Sequence, residues 1–222
     1  MKPAPHFDRL ASPYRLLERL TFGRALERCR TTFLPELASC RSALLLGDGD
    51  GRFAARLLAT NTALLADAVD ASPAMLRALV LNAGLHAGRV RVHVADARLF
   101  TPPHPPYDLI ATHFFLDCLS TAEVAALASN LRACATPRTR WVLSEFAVPP
   151  GRFGTLIARP LVTALYCAFA LFTGLRVLRL PACAQALAAA GFTRIQQRQF
   201  LRGLLVAELW TLGPAAPQQP LH

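Results

Sequence analysis

The 222-residue sequence predicts an α/β fold, a three-layer Rossmann-like sandwich with a seven-stranded, mostly parallel sheet and an antiparallel C-terminal hairpin strand. Three observations predict it. Short apolar runs alternate with helical patterns about five times along the chain. The first such run ends in three closely spaced glycines, Gly47, Gly49 and Gly51. The chain then closes with two consecutive strand patterns separated by Arg202-Gly203, which read as a hairpin.

Residues 1–40 read as an N-terminal helical segment, 41–212 as the domain proper and 213–222 as a frayed tail rich in proline and glutamine. Residues 14–30 carry leucines among charges at helical spacing, with a break near Gly23. Residues 43–46 are a short buried strand, and 51–60 a helix with Phe53, Leu57 and Leu58 inward. Residues 63–69 form a second buried strand that stops at Asp70. Ser72-Pro73 then opens a helix that runs to about His86, because serine caps and proline suits the first turn.

Residues 89–95 alternate, with Val90, Val92 and Val94 on the apolar side, and end at Asp96. Four prolines in 101–106 sustain neither ladder and mark a loop. Residues 107–112 and 140–146 are the fourth and fifth strands, with an alanine-rich helix over 121–134 between them. A long apolar helical stretch covers 155–175, a shorter helix covers 182–190, and the last two strands are 192–200 and 204–212.

Composition narrows the classes. Hydrophobic residues are 53% of the chain and charged ones 17%, which supplies a core and argues against disorder. The net charge is +10, and of 24 basic residues only Lys2 is lysine. The arginines are scattered, with no basic stripe interleaved with aromatics, so no nucleic-acid partner is expected. The six cysteines show neither CxxC pairs nor zinc-like spacing, so buried reduced thiols and no metal are expected. The N-terminus lacks the apolar core of a secretory signal, and the longest uncharged apolar run, 160–175, is shorter than the roughly 20 residues of a spanning helix. A cytoplasmic protein is expected. Arg152, Arg159, Arg176 and Arg179 flank the apolar stretch, so peripheral contact with an anionic membrane stays open beside packing on the sheet or a dimer contact. Oligomeric state is left open.

The chemistry gathers at strand ends. Glycines after a first strand let a ligand approach the backbone, and the following helix offers free N–H groups. Asp70, 19 residues beyond Gly51, either receives a ribose diol or caps the next helix. Asp96, followed by the small Ala97, either faces an adenine amino group or is an ordinary polar strand end. All three lie at the carboxyl edge of one sheet, where open α/β folds bind ligands.

These residues resemble a class I S-adenosylmethionine-dependent methyltransferase, in particular the small-molecule branch of ubiquinone and menaquinone biosynthesis. The resemblance runs from about Leu44 to Leu212. It implies that Gly47, Asp48, Gly49 and Gly51 cradle the methionine part of S-adenosyl-L-methionine. Asp70 would hold the ribose, with Ala71 and Met75 beside it, and Asp96 and Ala97 would face adenine. His113, in the YDLIATHFFLDCL segment, would line the transfer site. The chain departs from the family at Leu45, where an acid usually helps to hold the cofactor's amino group; Asp48 and Asp50 stand close by.

The implied reaction is methyl transfer to a small-molecule acceptor, in which alignment supplies much of the rate. If the acceptor is a phenol, enol or amine, a base helps, and His113, Asp117 and Glu145 are the candidates in that order. The apolar stretch over 155–175 suggests an apolar acceptor such as a quinol, polyketide, fatty or isoprenoid compound. Three other classes compete: a non-catalytic cofactor-binding partner subunit, a peripheral membrane or interaction protein built on this fold, and an NAD(P)-dependent oxidoreductase. The last requires GxGxxG, whose third glycine would fall at Arg52.

Overall fold

The computed structural model describes residue 22, residues 24–173 and residues 180–213, the side chains of 168–173 excepted. The expected helix over 14–30 is therefore seen from α1 (Ala25–Thr31) onward. Its earlier part, Gly23, Arg176, Arg179 and the tail beyond Gly213 lie outside the described residues.

After α1 the chain runs through β1 (Ser42–Leu46), α2 (Arg52–Thr60), β2 (Leu65–Asp70), α3 (Pro73–Ala83), β3 (Val90–Val94) and β4 (Tyr107–His113). It continues through α4 (Thr121–Arg132), β5 (Ala135–Phe146), α5 (Arg159–Thr173), α6 (Cys183–Ala189), β6 (Phe192–Phe200) and β7 (Leu205–Leu212). The seven strands form one sheet in the order β3-β2-β1-β4-β5-β7-β6. Strands β1 to β5 pair in parallel, and β7 inserts antiparallel between β5 and β6. The expected architecture, closing hairpin included, is what forms.

β1 shows why both faces are covered. Leu44 and Leu46 enter one core cluster while Ala43 and Leu45 enter the other, because successive residues of a strand point to opposite faces. The order reverses between β1 and β4, so the carboxyl ends of those two strands open a crevice. α2 buries Phe53, Ala54, Leu57 and Leu58, a single stripe at helical spacing. Ser72 caps α3 as expected, accepting from the Met75 amide at 3.2 Å. Ser120 and Glu123 form a reciprocal capping box at the start of α4.

Four expectations change. β3 lies at the sheet edge, so Val92 and Val94 are exposed rather than inward. The helix expected to reach His86 stops at Ala83 and becomes a 3-10 turn over Gly84–Arg89. β5 begins at Ala135, five residues earlier than 140, beside a register shift between Tyr107 and Leu109. The apolar stretch opens with a π-turn over Gly154–Ala158, and Leu156, Ile157 and Leu161 are exposed beside the exposed Arg152 and Arg159. Among the described residues no helix is long and apolar enough to cross a membrane. All six cysteines are free, but Cys167 is exposed rather than buried.

One buried polar cluster lies away from the crevice. Asp67 of β2 accepts from His93 Nε2 at 2.8 Å, Tyr107 Oη at 2.9 Å and His104 Nδ1 at 3.1 Å, with Arg91 Nε at 3.3 Å. It ties the proline loop and the start of β4 to the edge of the sheet.

Candidate functional site

The crevice is built from the β1–α2 loop, the ends of β2 and β3, and the turn after β4. The three glycines of the loop all have positive φ, but they serve different ends. A methyl group at Gly47 would lie 2.2 Å from Cδ2 of Phe115, so that ring packs directly on the loop. At Gly51 it would lie 2.4 Å from Leu79 Cγ, so this glycine permits the close packing of α2 on α3. At Gly49 nothing stands within 4 Å. Gly49 is thus the one position of the three whose backbone faces open space.

Asp48 is drawn inward. Its Oδ2 accepts from the Ala54 amide at 2.9 Å and satisfies an orphan donor in the first turn of α2. Enclosure pushes its carboxyl up to about 7, against the lowering pull of that amide and of Arg30. Leu45 is fully buried in the core, so the strand carries no acid toward the crevice there.

Asp70 ends β2 half-buried and turns one oxygen to the Ser72 amide at 2.8 Å. Ala71 beside it is exposed, and Met75 is buried in the first turn of α3. Asp96 is engaged by a neighbouring arginine. Arg98 Nε reaches both of its oxygens, at 2.9 and 3.0 Å, and Arg98 Nη1 bonds Glu123 at 2.6 Å. The guanidinium holds the Asp96 carboxyl below its ordinary range and locks the loop after β3 to the start of α4. Ala97 is buried beneath it.

The turn after β4 gathers the candidate bases. His113 is 5% exposed, with Nδ1 3.0 Å from Ser144 Oγ, while Nε2 has no partner. Its ring meets Phe53 edge-on at 4.2 Å. Burial, helped by the charge of Arg30, pushes its pKa down to about 3, so it stays neutral at ordinary pH. Glu145 turns its carboxylate to the backbone, accepting from the Leu116 amide at 3.1 Å and the Asp117 amide at 3.3 Å. It organises the turn rather than pointing a free oxygen into the crevice. Asp117 lies next to it, fully enclosed, and burial raises both carboxyls, the pair repelling each other.

Sequence reasoning missed Arg30, Phe115, Arg98 and Tyr166. Arg30 projects from α1 over the Phe114 ring at 4.9 Å, and its charge is felt by Asp48, His113 and Asp117. Arg30 and Tyr166 come from elements distant in sequence, so no spacing signals them. Phe115 sits in the FF pair after β4, and only the fold sets its ring against Gly47.

Residues 44–140 match the family model described as a methyltransferase domain. No curated protein matches the sequence. Among solved structures, a mitomycin 7-O-methyltransferase superposes with a TM-score of 0.67 at 14% identity, over 93% of this chain and 60% of its own. A methyltransferase of calicheamicin biosynthesis, solved with SAH bound, gives 0.65 at 19% identity, over 94% and 60%. Human N-acetylserotonin methyltransferase in complex with SAM gives 0.60 at 17% identity, over 91% and 55%. At these identities the likeness establishes the fold, and the chain spans about 60% of the length of the first two structures.

Proposed function

We propose, for a chain that carries a methyltransferase domain over residues 44–140, that it transfers a methyl group from S-adenosylmethionine to a small, apolar acceptor of quinol, polyketide, fatty or isoprenoid type. The observation that carries the reading is the open backbone of Gly49 facing the same sheet edge at which β2 ends in Asp70. These residues fit the cofactor. Gly49 and the loop around it would hold the methionine part, Asp70 with Ala71 and Met75 the ribose, and Ala97 with Asp96 the adenine. When bound, the cofactor supplies an electrophilic methyl on a sulfonium. The structures named above concern mitomycin, calicheamicin biosynthesis and N-acetylserotonin, which supports a natural-product acceptor as readily as a quinol.

Of the candidate bases, Asp117 is supported best. A neutral His113 with a pKa near 3 is a poor base at ordinary pH, and Glu145 is committed to backbone amides. Calorimetry with S-adenosylmethionine, S-adenosylhomocysteine and NADH separates the classes. Binding of the first two is expected, with Asp70→Ala weakening it about tenfold or more, the ~1.4 kcal/mol of a hydrogen bond to a charged group. Binding of NADH alone, or unchanged affinity in Asp70→Ala, overturns the assignment.

A further inference from the structure

The segment that opens α5 is apolar on both sides. Ala158, Val162 and Tyr166 are buried at a spacing of four and seat the helix on the core. Gly154 is buried against the carbonyl of Pro149, where a side chain would not fit. The opposite side presents aliphatic groups too. Leu156 and Ile157 are 68% and 54% exposed, and Leu161 is exposed one turn on. A helix lying on a core normally turns its polar residues outward. Leu201, at the tip between β6 and β7, is exposed as well. Arg202 beside it lies over the Phe153 ring at 5.7 Å, which joins that tip to the same surface. Leu201 and Arg202 both stand at positive φ, 50° and 57°, a conformation that residues with side chains seldom adopt.

The charge around this surface has one sign. Arg152 and Arg159 are exposed, and with Leu156 between them they follow the helical spacing of a single face. Between Glu145 and Glu208 the sequence has seven arginines and no aspartate or glutamate. No ion pair among the described residues engages Arg152, Arg159 or Arg202. A second copy packed symmetrically on this face would set these arginines against their own counterparts, with no acid to pair them. Nucleic acid would satisfy the arginines but offers its phosphates nothing to bury Leu156 and Ile157 against. An anionic bilayer surface takes both kinds of group at once: aliphatic side chains enter the acyl boundary while guanidinium groups bind lipid phosphates.

We infer that the start of α5 and the tip between β6 and β7 form a docking surface for an anionic phospholipid bilayer. Leu156, Ile157, Leu161 and Leu201 enter the interface, and Arg152, Arg159 and Arg202 hold lipid phosphates. The contact is interfacial, since among the described residues no helix is long and apolar enough to cross a membrane. The net charge of +10 draws the chain toward an anionic surface, and this patch fixes which face meets it. Docking does not depend on the methyl-transfer reading.

The full chain is sedimented with vesicles of phosphatidylcholine alone and of phosphatidylcholine mixed with phosphatidylglycerol. Binding to the mixed vesicles is expected, and it should weaken as salt is raised. Each arginine near an anionic surface is worth about fivefold in partitioning, so Arg152→Gln with Arg159→Gln should lower it about 25-fold. Leu156→Ser with Ile157→Ser should lower it about tenfold or more by removing the apolar contact. Both double variants should melt as the wild type does, because all four side chains are exposed. Arg77→Gln with Arg138→Gln removes the same charge from exposed positions on other elements and should leave most of the binding in place. No binding to the mixed vesicles, or an equal loss in the Arg77 and Arg138 pair, overturns the inference. So does tighter binding of duplex DNA than of the mixed vesicles. A dimer in sedimentation equilibrium that Leu156→Ser with Ile157→Ser dissociates overturns it in favour of a second copy on this face.

Discussion

Alanine at Gly51 and alanine at Gly49 should break different properties of the protein. At Gly51 the added methyl would lie 2.4 Å from Leu79 Cγ and 2.7 Å from Leu79 Cα, at a φ of +78°. The second contact is with backbone, so a change of rotamer does not relieve it. A left-handed non-glycine residue costs ~1–2 kcal/mol and overpacking ~1–3 kcal/mol, which sum to ~2–5 kcal/mol. At about 2–4 °C per kcal/mol for a chain of this size, Gly51→Ala should lower the melting temperature by about 4–20 °C. At Gly49 the φ is +61° and nothing stands within 4 Å, so only the backbone cost of ~1–2 kcal/mol applies. On the proposed function its methyl would stand in the cofactor's path, so S-adenosylhomocysteine affinity should fall by about tenfold or more. Thermal unfolding followed by circular dichroism and calorimetry with S-adenosylhomocysteine read the two effects. Equal losses of melting temperature, or wild-type affinity in Gly49→Ala, would refute the division of roles.

Two further outcomes follow from buried titratable groups. Burial raises the Asp67 carboxyl, but the bonds from His93, Tyr107, Arg91 and His104 outweigh it and hold the group below its ordinary 3.8. Its contribution is therefore complete above pH 3.8 and fades as pH falls through the folded-state value; Asp67→Asn should cost about 1–3 kcal/mol at neutral pH and flatten the acid limb, and an unchanged acid melting profile refutes this. His113, pushed down from 6.5 to about 3, takes up its proton only on unfolding, so stability should decline as pH drops from 6.5 toward 3. Histidine NMR should show no titration of His113 between about pH 5 and 8, and a midpoint near 6.5 would show the ring to be hydrated instead.

The strand ends were legible before any coordinates, because burial on both faces writes a continuous apolar run and a turn interrupts it. That made Leu44 to Leu46, the glycine loop and Asp70 readable together. Ser72 was readable as a cap for the same local reason: its partner is the amide three residues on. What a strand-end acid actually bonds was not readable. Asp96 is claimed by Arg98 only two residues away, but which rotamer the arginine takes depends on Glu123 in α4. Nor was it readable that Asp48, a candidate ligand contact in the sequence, also accepts from the Ala54 amide in the first turn of α2.

By itself the sequence determined the alternation of elements, the closing hairpin and the sheet edge at which chemistry gathers, since each is set by short-range periodicity and turn residues. The tertiary structure alone decided that β3 is an edge strand with Val92 and Val94 exposed, and that Gly51 packs directly on Leu79. It also brought Tyr166 of α5 to Asp117 and Arg30 of α1 to His113. Those outcomes follow from the strand order β3-β2-β1-β4-β5-β7-β6, a long-range packing choice that no local window of residues encodes.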